Sequence, residues 1–212
     1  MGLQACADVS PPRWHLAHTT WFFETFLLKP HLPDYRVFQP QFEYLFNSYY
    51  NGIGEQFSRP QRHLLSRPTG EEVYAWRRQV DQAMARLIEA QPALADRITL
   101  GLNHEQQHQE LLLTDLKYSL SFNPLAPAIG QPLTAADKVA PLGFTPFNGG
   151  LVEIGANENG FAFDNETPRH RVWLEPFALA NRPVTNGEFR AFIDDGGYQR
   201  PELWLSDGWA WV

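Results

Sequence analysis

The sequence predicts an α+β chain: a helical bundle first, then the start of a strand-containing domain. Two changes of pattern carry this reading. Up to about residue 122, apolar residues recur at three- and four-residue spacing, the mark of helices with one buried face. Beyond Gly149-Gly150 the spacing becomes two, the mark of half-buried strands, and a proline-rich stretch separates the two regimes. The expected organisation is therefore a bundle over residues 1–122, a linker over 123–148 and a second, partial domain over 149–212.

In chain order, Pro11 and Pro12 open a helix through Trp14, Ala17, His18, Trp21, Phe22 and Leu28 that closes at Lys29-Pro30. Residues 34–50 are crowded with aromatics and read as helix, or helix plus loop, ending near Gly52 and Gly54. Thr69 followed by Glu71 and Glu72 marks a capped start, after which Val73, Trp76, Val80, Met84, Leu87 and Ile88 hold a 3.6-residue period up to Gln91-Pro92. A last bundle helix covers residues 93–120. Prolines 124, 127, 132, 141 and 146 with Gly130 and Gly143 define the linker. Residues 151–154 and 170–174 alternate as strands, residues 185–193 as a helix, and the tail from Tyr198 is rich in tryptophan.

Composition narrows the function classes. The chain has 212 residues, 43% of them hydrophobic, enough for a sizeable core, and a net charge of -7 gives no basic footprint for nucleic acid or anionic membrane. Small polar metabolites fit better. No run approaches the roughly 18 apolar residues of a membrane span, and the N-terminus has no leader pattern. The single cysteine, Cys6, allows no internal disulfide and suits a reducing cytoplasm; nothing beside it would make it a nucleophile.

The chemistry concentrates in histidines. His104 and His108 stand four residues apart in His104-Glu105-Gln106-Gln107-His108, so both rings project from one helix face about 6 Å apart. Such pairs also occur on ordinary helices, but Gly101 leaves room on the same face and Leu102, Leu112, Leu113 and Leu116 offer an apolar flank that would bury it. His18, on the first helix, supplies a third imidazole. Three ring nitrogens from two helices leave coordination positions open, which is a catalytic rather than a structural layout. His15, one turn before His18, reads as a packing or supporting residue, and Trp21, Phe22, Tyr49 and Tyr50 as bundle core.

Several motifs in order, WHLAHTTWFFE from Trp14, FNSYY from Phe46, HEQQHQE from His104, FDNETPRHRVWL from Phe163 and PVTNGEFRAFIDDGGY from Pro183, resemble the iron-dependent sulfoxide synthases of ergothioneine biosynthesis. The resemblance implies a DinB-like helical bundle joined to a formylglycine-generating-enzyme-type domain with a C-type-lectin-like fold. It implies Fe(2+) as cofactor, held by His18, His104 and His108, and O₂-dependent joining of a thiol sulfur to imidazole C2 of hercynine, giving a sulfoxide. The thiol would be gamma-glutamylcysteine or cysteine. By the same resemblance Gln107 contacts the hercynine imidazole, and Arg59 or Arg62 takes the thiol substrate's carboxylate. The resemblance also places a proton-donating tyrosine beyond Val212 and a further bundle helix before the first residue, so the expectation is a chain truncated at both ends. Two other readings stay open: a DinB-like metal-dependent thiol transferase or hydrolase, and a non-catalytic metal-binding remnant.

Overall fold

The structure is a computed structural model describing residues 2–131, 134, 138–157 and 159–212. Pro132, one of the prolines expected in the linker, lies outside them. The chain divides into two compact units, Met1–Pro132 and Leu133–Val212. It is α+β, with the long helices in the first unit and, among the described residues, all strands together with two short helices in the second.

In the first unit, α1 (Pro12–Phe23) begins with Pro11 and Pro12, whose fixed φ suits a first turn that needs no N–H. It does not stop at Lys29-Pro30. The backbone widens into a π turn over Glu24–Leu28, where the Lys29 N–H bonds to Glu24 O, and a short α2 (Lys29–His31) carries on. The register shift lets the helix continue past a proline that has no N–H to give.

Residues 34–50 hold only one short helix, α3 (Phe42–Phe46); the remainder is loop. Phe42 and Phe46 are buried against Trp76. Tyr49 corrects an expectation: it is 76% exposed rather than core, on a backbone with φ of +66°.

Helix α4 (Gly70–Ala90) starts in a reciprocal cap, with Thr69 Oγ1 accepting the Glu72 N–H at 3.2 Å and Glu72 Oε2 accepting the Thr69 N–H at 2.5 Å. Its periodic residues Val73, Trp76, Val80, Met84 and Leu87 are all buried, each contributing about 1.5–3 kcal/mol of transfer free energy. Ile88, on the edge of that stripe, is half exposed.

After a turn at Pro92–Leu94, α5 (Ala95–Ser121) runs back antiparallel to α4, as the Arg77–Glu105 ion pair at 2.9 Å shows. It is antiparallel to α1 as well, since His15 meets Asp115 while Phe23 meets Gly101. Here the expected apolar flank holds only in part: Leu112 and Leu116 are half-buried, Leu102 and Leu113 are 53% and 55% exposed, and only Gly101 and Ser119 of this helix are fully buried. Its inward face is made instead of small and polar groups, the histidines among them.

Buried at the junction of α1 and α4, the Glu24 carboxylate accepts from Tyr35 Oη at 2.5 Å, Trp76 Nε1 at 3.1 Å and the Phe38 N–H at 3.2 Å. Three donors satisfy a charge that burial alone would penalise. In return, burial and Glu24 push the Tyr35 hydroxyl well up from its ordinary pKa.

In the second unit, β2 (Gly150–Ile154) pairs antiparallel with β3 (His170–Leu174), the two strands the alternation marks. A second ladder joins β1 (Phe144–Phe147), which lies inside the stretch read as linker, to β4 (Phe177–Ala180). Gly149, at φ +69°, lets the chain turn beside Leu174, where a Cβ would come within 2.2 Å of the Leu174 carbonyl oxygen. Thr185 and Glu188 form the reciprocal cap of α6 (Asn186–Asp194), and a short α7 (Ser206–Trp211) ends the chain. Asn165, Glu166 and His170 fill turn and strand positions, with Glu166 accepting the Phe163 N–H at 2.8 Å. Among the described residues, no helix is long and apolar enough to cross a membrane.

Candidate metal centre

Helices α1 and α5 cross closely because one of them has no side chain at the contact. A Cβ on Gly101 would lie 2.7 Å from Phe23 Cε1 and 3.0 Å from Phe22 Cε1. One turn further along α5, the His104 ring packs on Phe22, with centroids 4.8 Å apart. His108 follows on the same face. Opposite them, α1 presents His18, and the three residues each offer a ligand atom within 4.8 Å of the others. The structure thus brings together the histidines that the sequence singled out.

The electrostatics keep these rings uncharged. Burial, reinforced by His108, holds the His18 imidazole well below its ordinary pKa. Burial takes His104 down to about 4, and burial with the neighbouring His104, His15 and Arg62 takes His108 down to about 3. At neutral pH all three are therefore neutral and carry lone pairs. His18 Nδ1 lies 2.6 Å from the Phe46 carbonyl oxygen, which only accepts, so Nδ1 bears the proton and Nε2 is left free. The buried Nδ1 of His104 has no hydrogen-bond partner. Convergent neutral nitrogens, one of them buried and unsatisfied, fit a divalent first-row metal held with open positions.

The histidines line one wall of a cavity of about 310 Å³. Arg62 forms another wall. Only 3% exposed, it lies with its guanidinium carbon 3.4 Å over the Trp14 ring and donates from Nη1 to Ser10 Oγ at 2.8 Å and from Nη2 to Ser48 Oγ at 3.0 Å. Burial and the nearby Arg59 lower its pKa to about 9, which leaves it charged at neutral pH. Arg59 reaches the same cavity and donates to Tyr49 Oη and the Asp8 carbonyl. Among the described residues, neither arginine has a carboxylate within 4.0 Å. Two guanidiniums facing a cavity, neither of them ion-paired among the described residues although Asp115 lines the same cavity, make a receptor for an anionic group. Gln107 is exposed at the same cavity, the exposed Tyr49 lines it, and Tyr50 lines it while packing its ring on Trp21 and Phe26 of the core.

Sequence reasoning missed Ser10, Ser48 and Asp115. Asp115 had a signal, since it stands seven residues after His108 and so shares its helix face; Ser48 lies within the FNSYY motif, and Ser10 had none. His15, 3% exposed, sits between the two helices with Nε2 3.0 Å from Asp115 Oδ2 and Nδ1 2.9 Å from His108 Nδ1. Its burial lowers its pKa against the opposing pull of Asp115.

Comparison with known proteins finds relatives along nearly the whole chain. Residues 138–212 match the Sulfatase-modifying factor enzyme 1-like domain. The chain is 33% identical to the hercynine oxygenase of Mycolicibacterium thermoresistibile over 96% of its own length and 45% of that relative's. It is 31% identical to the hercynine oxygenase of Mycolicibacterium smegmatis, over 95% of this chain and 46% of the relative. A shorter match, 35% identical over 32% of this chain and 9% of the relative, is to Ergothioneine biosynthesis protein 1 of Schizosaccharomyces pombe. The chain thus spans just under half the length of the hercynine oxygenases it matches.

Proposed function

We propose that the chain is an oxidoreductase, a hercynine-oxygenase-like sulfoxide synthase of ergothioneine biosynthesis, with Fe(II) held by His18, His104 and His108. The observation that carries this reading is the union, in one cavity, of three convergent neutral imidazoles with two guanidiniums that make no ion pair among the described residues. Similarity to hercynine oxygenases along nearly the whole chain supports it. When bound, the iron would supply activation of O₂ and of the thiol sulfur, leading to a C–S bond and a sulfoxide.

The protein's own groups then bind and orient. Arg62 is a fork already fixed by two hydroxyls and an aromatic face, so seizing a carboxylate costs little further side-chain entropy. Arg59 stands beside it, and the pair suits a thiol such as gamma-glutamylcysteine or cysteine, anchored by carboxylate. Gln107 presents an amide to the second substrate, the hercynine imidazole, and Trp14 and Tyr50 restrict water. Placing sulfur against imidazole C2 is the main demand, because proximity and orientation are worth several kcal/mol of the barrier.

The test is anaerobic titration with Fe(II), followed by O₂ uptake with hercynine and a thiol added singly and together. It is run on the chain and on the chain extended with the remaining segments of the Mycolicibacterium thermoresistibile relative. One Fe(II) bound per chain, lost in His18→Ala, with uptake that needs both substrates, is the expected result. Substrate turnover that proceeds without O₂ would replace this reading by a metal-dependent thiol transferase or hydrolase. Fe(II) bound with no turnover of either kind would leave the non-catalytic metal-binding remnant, and an absence of metal binding would refute the three-histidine centre.

A further inference from the structure

His108 and Asp115 lie two turns apart on the face of α5 that meets α1, and His15 reaches across between them. Asp115 Oδ2 is itself held by the Ser10 N–H at 2.8 Å, so the carboxylate has a fixed position before it meets the ring. A carboxylate only accepts, and the hydrogen in the 3.0 Å contact therefore sits on His15 Nε2. Buried between the two helices, with desolvation outweighing the pull of Asp115, the ring stays uncharged and then has only a lone pair at Nδ1. The nitrogen facing it at 2.9 Å, His108 Nδ1, must be the donor.

We propose that Asp115 and His15 are positioning residues that lock His108 as its Nδ1–H tautomer and thereby present its Nε2 lone pair to the three-histidine centre. This rests on the metal reading above and adds two residues to it. His18 obtains the same orientation from the Phe46 carbonyl, whereas no hydrogen bond orients His104 among the described residues. The three donors are thus unequal: two are held from behind and the third is free to adjust. A carboxylate acting on a ligating imidazole fixes ring orientation and raises basicity, and its loss commonly weakens metal binding by about 10–100-fold. Here the carboxylate acts through an intervening histidine.

The experiment records long-range ¹H–¹⁵N spectra of the full chain labelled at histidine nitrogens, without metal, together with anaerobic Fe(II) titration and thermal unfolding. The unsubstituted chain should show His108 with its proton on Nδ1 and His15 with its proton on Nε2. Asp115→Leu and His15→Leu should give His108 mixed tautomers and an Fe(II) affinity lower by roughly 10–100-fold. His15→Gln, whose amide oxygen can still accept from His108 Nδ1, should restore most of the affinity. A packing role alone would lower the unfolding temperature of these variants while leaving the His108 tautomer of the folded fraction unchanged. That result overturns the proposal, as does His108 carrying its proton on Nε2 in the unsubstituted chain. Correct tautomers with no Fe(II) bound would overturn the metal reading and leave the lock standing.

Discussion

Adding one methyl group at Gly101 should weaken both the bundle and its metal site. In Gly101→Ala the new Cβ would stand 2.7 Å from Phe23 Cε1, 2.9 Å from Phe23 Cζ and 3.0 Å from Phe22 Cε1. That is roughly 1 Å short of the 3.5–4.0 Å optimum between carbon atoms. Both rings are buried and cannot swing into solvent, so relief must come from separating α1 and α5 by a comparable amount. Alanine gains about 1 kcal/mol over glycine in a helix interior. Overpacking a tight contact costs about 1–3 kcal/mol, and two immobile rings place this case toward the upper end. The net loss is on the order of 1–2 kcal/mol, or about 4–8 °C in Tm for a unit of this size. The metal site should suffer more, because metal–nitrogen bonds tolerate shifts of only about 0.2 Å and the ligands come from both helices. We expect at least a tenfold drop in Fe(II) affinity, measured by anaerobic competition titration alongside calorimetric unfolding. Gly52→Ala, where a Cβ meets nothing within 4 Å, is the matched control. A Gly101→Ala chain that is more stable, with Fe(II) affinity intact, would refute the close-packing argument.

Three further outcomes follow from the same geometry. Arg62→Met should raise the KM for the thiol by about 10–100-fold, the loss of a charge-assisted pair, with little change in Fe(II) affinity; an unchanged KM would remove Arg62 from the anion receptor. Glu24→Leu should cost on the order of 3 kcal/mol in denaturant unfolding, because Trp76 Nε1, the Phe38 N–H and Tyr35 Oη lose their acceptor, while Glu24→Gln should cost less; equal costs would show that the donors are not what matters. The metal-free bundle should lose stability as pH falls from about 6.5 toward 4. Below 6.5 the unfolded chain takes up protons that the folded histidines refuse, His104 down to about 4 and His108 to about 3, so His104 alone accounts for roughly 3 kcal/mol across that window. Urea midpoints measured between pH 4 and 7 check this, and a flat profile would mean the rings are solvated.

How much was legible in advance depended on the range over which each feature is decided. The helix caps at Thr69 and Thr185, the buried stripe of α4 and the shared face of His104 and His108 follow from spacings of three and four residues, which the backbone geometry of a helix enforces locally. The β1–β4 ladder was not legible. Phe144-Thr145-Pro146-Phe147 has a proline and no clear alternation, and its pairing is settled only by a partner thirty or more residues away. Tyr49 looked like core by residue type, yet a left-handed backbone turns it outward beside Arg59. The leucines of α5 were expected to bury their helix, but α1 meets the face carrying Gly101 and the histidines, so Leu112 and Leu116 are only half-buried and Leu102 and Leu113 stay exposed.

The amino-acid order by itself determined the candidate ligand types and the helix face on which two of them stand, because side-chain direction along a helix is set by backbone geometry alone. Tertiary structure decided what surrounds them: His18 meeting the pair, Asp115 reaching His15 across one hundred positions of chain, and Arg62 sealed between Trp14 and two serines without a carboxylate. Those contacts arise where surfaces distant in sequence pack together, and burial, not residue identity, leaves the imidazoles neutral and the guanidiniums awaiting an anion.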